Sequence, residues 1–160
     1  MNMNQFQKIS LERFNADLKE KCSYDDIILP RRATAKSAGY DFFAPFGFIL
    51  AAGQTVKIPT GIRVFLDDDK FLLIAPRSGL GFKFRLQLDN TVGIIDADYA
   101  ASDNEGHIYI KITNDSRENK TMDIKKGEAF AQGIIMSYFK TDRDDAAAVR
   151  NGGFGSTDGQ

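Results

Sequence analysis

Four short segments of this chain set polar residues inside otherwise apolar, strand-forming sequence. AGYDFFA (38–44) places Asp41 between aromatics, and PRSGL (76–80) breaks a strand with Pro76 before Arg77, Ser78 and Gly79. DNTVGIIDADYA (89–100) arranges Asn90, Gly93, Asp96 and Tyr99 around an apolar pair, and KKGEAFAQG (125–133) carries Gln132 in a run of small residues. The C-terminal segment adds Arg150, Phe154, Ser156 and Thr157 among glycines. Taken singly, each segment reads as a turn or a buried hydrogen-bonding residue. Together they hold the parts of a phosphate site. Arg77 and Arg150 suit phosphate oxygens bidentately. Ser78, Ser156, Thr157, Gln132 and glycine N–H groups can donate to the same oxygens. Asp41 and Asp96 can position a magnesium ion or activate water. Phe154 and Tyr99 can cover a base and a sugar. Neither GxxxxGKS/T nor GxGxxG occurs, so the inventory is that of a nucleotide polyphosphate site without a P-loop.

The rest of the composition removes other chemistries. One cysteine, Cys22, excludes an intrachain disulfide framework and a cysteine zinc cluster. One histidine, His107, excludes a two-histidine metal site within the chain, and its place at the start of an alternating strand reads as a surface or hairpin position. Twenty-one basic against 22 acidic residues give a net charge of −1, with no footprint for nucleic acid or an anionic membrane. No apolar run approaches a membrane span, and the N-terminus lacks a signal-peptide pattern, so a cytoplasmic protein is expected. With 42% hydrophobic and 27% charged residues in 160, the chain has the usage of one folded domain, with or without a tail.

The elements that must position these residues are β-strands. VKIPTGIRVFL (56–66) and KFLLIAP (70–76) are strand-like, and Asp67-Asp68-Asp69 falls at the turn between them. HIYIKITN (107–114) alternates, with Ile108, Ile110 and Ile112 on one face. Residues 114–121 form a polar connection, and 122–139 resume strand character, broken by Gly127 and Gly133. Short strands at short spacing predict an all-β sandwich, jelly roll or barrel. Residues 1–26 read as an N-terminal extension. Phe6 and Ile9 lie in a strand-like stretch, and Ser10 N-caps a helix with Leu11, Phe14 and Leu18 on its docking face. Residues 27–139 form the β domain, and the polar, glycine-rich 140–160 a mobile tail.

Five segments in order make the chain resemble the trimeric dUTPases: AGYD (38–41), PRSGL (76–80), NTVGIIDADY (90–99), KGEAFAQ (126–132), and Arg150 followed by GGFGST (152–157). The resemblance runs from about Ile27 to the C-terminus. It implies a jelly-roll-like β-barrel, a homotrimer with active sites shared between subunits, and hydrolysis of dUTP to dUMP and pyrophosphate with Mg²⁺. Such an activity keeps uracil out of DNA and supplies dUMP for thymidylate synthesis. By the same resemblance Asp96 is the base that activates water. Asn90 and the main chain around Gly93 hold uracil, and Tyr99 lies against deoxyribose and excludes a 2′-hydroxyl. Arg77, Ser78, Gly79 and Gln132 face the phosphates. Asp41 stands near the metal, acting through water. Arg150, Phe154, Gly155, Ser156 and Thr157 belong to a tail that closes over a neighbouring subunit's nucleotide, with Phe154 stacked on the base.

The chain departs from that pattern in three places. AASDNEGH (100–107) lengthens the exit from the NTVGIIDADY hairpin, Ala129-Phe130 stand where Arg-Ile is common, and Asp158 separates Thr157 from the next glycine. A dCTP deaminase or bifunctional deaminase–dUTPase of the same superfamily, or a non-catalytic nucleotide-binding regulator, are the rival readings. GIIDADY combined with GFGST favours the triphosphatase.

Overall fold

The computed structural model describes residues 4–150. Its elements are β1 (Gln5–Lys8), α1 (Leu11–Asp17), β2 (Arg31–Arg32), β3 (Tyr40–Phe43), β4 (Phe48–Leu50), β5 (Thr55–Pro59), β6 (Ile62–Phe65) and β7 (Lys70–Pro76). After β7 come α2 (Ser78–Phe84), β8 (Leu86–Leu88), β9 (Gly93–Asp96), β10 (Tyr109–Asn114), β11 (Met122–Ile124) and β12 (Ala129–Ser137). The protein is all-β, of jelly-roll type. Among the described residues the strands pair as β2-β3-β12-β7-β9, β5-β10-β8, β11-β4 and β1-β6.

Alternation makes the core. Ile108, Ile110 and Ile112 are fully buried, as the 107–114 pattern predicts, and Leu72 and Ile74 of β7 and Phe42 of β3 join them. Asp67–Asp69 form the turn between β6 and β7, closed by Lys70 N–H donating to the Asp67 carbonyl at 2.9 Å. Residues 114–121 connect β10 to β11, anchored by the Asn114 amide, which donates to the Leu50 and Lys120 carbonyls at 2.8 Å each. Gly127 breaks strand character as expected, in the turn between β11 and β12, at a positive φ of 81°. Gly133 does not break a strand. It lies within β12, paired with Tyr40 and Ile74, where a Cβ would come within 2.9 Å of both Leu72 and Phe42. A missing side chain there permits close sheet packing.

The N-terminal segment docks more deeply than its position outside the resemblance suggests. β1 pairs antiparallel with β6 from Gln5↔Phe65 to Lys8↔Ile62. Ser10 caps α1, accepting from Arg13 N–H at 3.1 Å. Ile9, Phe14 and Leu18 are buried in the common core, whereas Leu11 is 58% exposed. The apolar face of this short helix is therefore Phe14 and Leu18, with Leu11 turned to solvent.

His107 is completely buried, contrary to its expected surface or hairpin place. Its Nε2 accepts the Gly61 N–H at 3.0 Å, so the ring proton belongs on Nδ1, 2.7 Å from Asp17 Oδ2. Burial lowers the His107 pKa, outweighing the opposing pull of Asp17. For Asp17 burial acts upward, but hydrogen bonds from His107 and Tyr109 bring its carboxyl below the usual value. A histidine held neutral in the fold binds its proton more readily in the unfolded chain. Its contribution to stability is whole above about pH 6.5 and is lost as pH falls below that, by at most about 1.4 kcal/mol per pH unit. Loss through Asp17 starts only below about pH 4. The melting temperature should therefore decline from pH 7 to pH 5, and less steeply in a His107→Gln variant. Parallel pH profiles for the two proteins would contradict the neutral assignment.

Candidate active site

Strand register assembles the first cluster. Asp41 on β3 and Ala75 on β7 both lie opposite Gln132 on β12. Arg77 follows β7 directly, and its Nε sits 3.0 Å from Asp41 Oδ1 while Nη1 reaches the Ala129 carbonyl at 3.4 Å. The Gln132 amide donates to the Pro76 carbonyl at 3.0 Å. Ser78 and Gly79 form the first turn of α2, and a Cβ on Gly79 would meet open space. Asp41, Arg77, Ser78, Gly79 and Gln132 line one cavity of about 530 Å³, together with Gly39. Gly39 has a steric reason to be glycine, because its Cβ would fall 2.4 Å from Gln132 Oε1.

The hairpin between β8 and β9 builds the second cluster. Val92 N–H donates to the Asn90 carbonyl at 2.7 Å, and Thr91 takes a left-handed φ of 68°. Gly93 packs against β7, where an added Cβ would approach Ile74 Cβ to 3.0 Å. Asp96 ends β9 opposite Phe71, with its side chain half exposed. Tyr99 follows on a 3₁₀ turn, Ala97–Ala101, and is 5% exposed. Asn90, Gly93, Asp96 and Tyr99 line a cavity of about 560 Å³, and Arg150 completes its wall. Arg150 Nη2 is 2.5 Å from Asp96 Oδ2 and Nε is 2.7 Å from Asp98 Oδ1.

The two clusters do not share a cavity within one chain. Phe71, opposite Asp96, and Arg77 are six residues apart along an extended strand, about 20 Å. Asp41, Arg77, Ser78, Gly79 and Gln132 come together at one end of β7. Asn90, Gly93, Asp96, Tyr99 and Arg150 line the separate cavity along β9, which runs from Gly93 opposite Ile74 to Asp96 opposite Phe71 near the other end. Phe154, Gly155, Ser156 and Thr157 lie outside the described residues. Sequence reasoning missed Asp98, the second partner of Arg150. The repeated carboxylate of Asp96-Ala-Asp98 was its signal. It also missed Gly39, whose signal was its neighbour Asp41.

A family model described as dUTPase matches residues 25–158. The chain belongs to the dUTPase family. The deoxyuridine 5′-triphosphate nucleotidohydrolase of Lactococcus lactis is 39% identical over 134 residues, 82% of this chain and 88% of the relative. The Psychrobacter cryohalolentis protein of the same name is 34% identical over 158 residues, 93% and 96% of the two chains. Among solved structures, the Streptococcus mutans dUTPase aligns with a TM-score of 0.67 at 31% identity, covering 86% of this chain and 98% of that one. A mutant dUTPase of phage phi11 of S. aureus, which coordinates a structural Mg(II) ion, shares the fold at 21% identity and a TM-score of 0.67, covering 92% of this chain and 98% of that one. This dUTPase hydrolyses dUTP.

Gly39→Ala tests the first cluster. The new methyl meets the far end of the Gln132 side chain, which can swing away at little cost to the fold. The melting temperature should hold within a few degrees, while KM for dUTP rises about tenfold if Gln132 holds a phosphate oxygen, as the resemblance implies. Steady-state kinetics beside a thermal melt separates the two effects, and an unchanged KM would detach Gln132 from the substrate.

Proposed function

We propose that this dUTPase converts dUTP to dUMP and pyrophosphate at sites shared between copies of the chain in a homotrimer, with Asp96 as the general base. The separation of Asp96 from Arg77 along β7 carries this reading. Water activated by Asp96 attacks the α-phosphorus, while Arg77, Ser78, Gly79 and Gln132 hold phosphate oxygens of the same nucleotide. Groups about 20 Å apart cannot serve one phosphorus. A second copy presenting its β7–α2 corner to the hairpin cavity brings them together.

In this arrangement Asn90 and the main chain at Gly93 bind the uracil edge, and the ring of Tyr99 lies against deoxyribose. Arg150 begins a segment, with Phe154, Gly155, Ser156 and Thr157, that closes over the nucleotide and excludes water. Its guanidinium is paired with Asp96 and Asp98, and a triphosphate competes for it. Transfer of Arg150 to phosphate frees Asp96 Oδ2 to take a proton from water. Among the described residues no three His, Cys, Asp or Glu side chains are grouped as a metal cage. That donor set fits Mg²⁺ held mainly by the triphosphate and water, with Asp41, 16% exposed beside Arg77, contributing through a water molecule. The ion neutralises phosphate charge. No helix among the described residues is long and apolar enough to cross a membrane, and the nucleotide substrate suits a cytoplasmic place.

Asp96→Asn keeps shape and removes basicity. Pyrophosphate release should fall ~10²–10⁴-fold while a non-hydrolysable dUTP analogue still binds. Near-normal turnover would shift the role to another carboxylate, with Asp41 next. Deleting residues 149–160 should leave the trimer mass in light scattering and the melting temperature almost unchanged, yet reduce kcat/KM at least about a hundredfold. A monomer, or full activity after truncation, would refute the shared site.

A further inference from the structure

The lengthened exit after Tyr99 and the N-terminal helix meet each other, and both converge on the tyrosine's hydroxyl. Glu105 accepts from Ser10 N–H at 3.0 Å and from its hydroxyl at 2.5 Å, and lies 3.8 Å from Arg63. Arg13 donates to the Asp103 carbonyl at 3.2 Å. The loop is tight. Glu105 and Gly106 both have positive φ, and a Cβ on Gly106 would come within 2.7 Å of Ala100 Cα. Folded this way, the loop carries Asn104 and His107 back under the 3₁₀ turn that bears Tyr99.

Tyr99 thus presents its ring to the cavity while its hydroxyl points into the protein. The hydroxyl donates to the His107 carbonyl at 2.9 Å and accepts from Asn104 Nδ2 at 2.9 Å. Both partners are fixed. Asn104 Oδ1 accepts Gly106 N–H at 3.1 Å, which sets the orientation of the amide. His107 is held by its ring, between Gly61 N–H and the Asp17 carboxylate of α1.

We propose that Asn104 is a positioning residue for sugar selection, and that the 100–107 loop, clamped by α1, fixes Tyr99 at the depth that rejects a 2′-hydroxyl. The proposal rests on the reading that Tyr99 lies against deoxyribose. An aromatic ring anchored at its far end cannot retreat to make room for an extra oxygen. Released, it can tilt by the few tenths of an ångström that separate contact from clash. Asn104 therefore acts on the ratio of kcat/KM for dUTP to that for UTP more than on the chemical step.

Asn104→Leu keeps approximate size and removes the donor to Tyr99, together with the acceptor used by Gly106 N–H and the Ser102 hydroxyl. The dUTP/UTP discrimination ratio should fall by roughly tenfold, the order expected when one buried hydrogen bond is lost. kcat for dUTP and its pH profile should stay close to wild type, because Asp96 is untouched. Tyr99→Phe removes only the anchored atom and should cause a similar loss. Adding Asn104→Leu to Tyr99→Phe should cost nothing further, a non-additivity that general destabilisation would not produce. Should Asn104→Leu fail to fold, Tyr99→Phe decides alone. Wild-type discrimination in Tyr99→Phe, or full additivity in the double variant, overturns the proposal. Tyr99→Ala isolates the underlying reading. If it too discriminates normally, Tyr99 does not select the sugar; if it alone loses discrimination, the ring selects but the anchor does not matter.

Discussion

β12 runs between β3 and β7, and its register brings Asp41, Arg77 and Gln132 together. Gln132 faces Asp41 on one side and Ala75 on the other, so Arg77 leaves β7 at the height of both polar groups. A slip of one residue would turn Gln132 to the opposite face. Two features hold the register. Gly133 lets Leu72 and Phe42 close over the strand, and the ladder shifts between Ala129 and Ala131, which accommodates the completely buried Phe130. The Asp41–Arg77 pair rests on this frame. Its energy is modest for a half-exposed arginine. Its role is geometric, aiming the guanidinium where the cavity opens.

Much of this was readable from residue order. The alternation of Ile108, Ile110 and Ile112 gives a strand with one buried face. The carboxylates at 67–69 mark a turn because no core could take them. The clustered polar residues around Asp41, Arg77, Asp96 and Gln132 do line cavities. These are local signals, carried by neighbours within a few positions. They do not reveal that one chain divides those residues between two cavities, because that depends on which strands pair with β7 and in what register.

The misreadings share a cause. His107 looked like a strand-end histidine because its partners, Asp17 and Gly61, are 90 and 46 residues away. Gly133 looked like a break because glycine punctuates most strands, and the crowding that requires it comes from Leu72 and Phe42. Leu11 matched a helical spacing, but α1 has only seven residues, and a helix that short turns its face by whatever anchors its ends. Those anchors are Ser10, tied to Glu105, and Asp17, tied to His107.

The docking of the N-terminal strand and helix bears on how the chain is made. Ser10 and Glu105 are separated by 95 positions, so the segment bearing Ser10 leaves the ribosome well before its partner. Until residue 107 has emerged, α1 lacks the loop that ties down Ser10 and Asp17, although β6, the partner of β1, is made much earlier. Closing so long a loop carries an entropic cost that grows only slowly with its length, but it must be met before any contact rewards it. Folding dominated by such distant pairings runs on the millisecond-to-second scale. The N-terminal helix is thus among the last parts to settle, and a nascent chain halted short of residue 107 would hold the apolar residues of that helix open to chaperones or to one another.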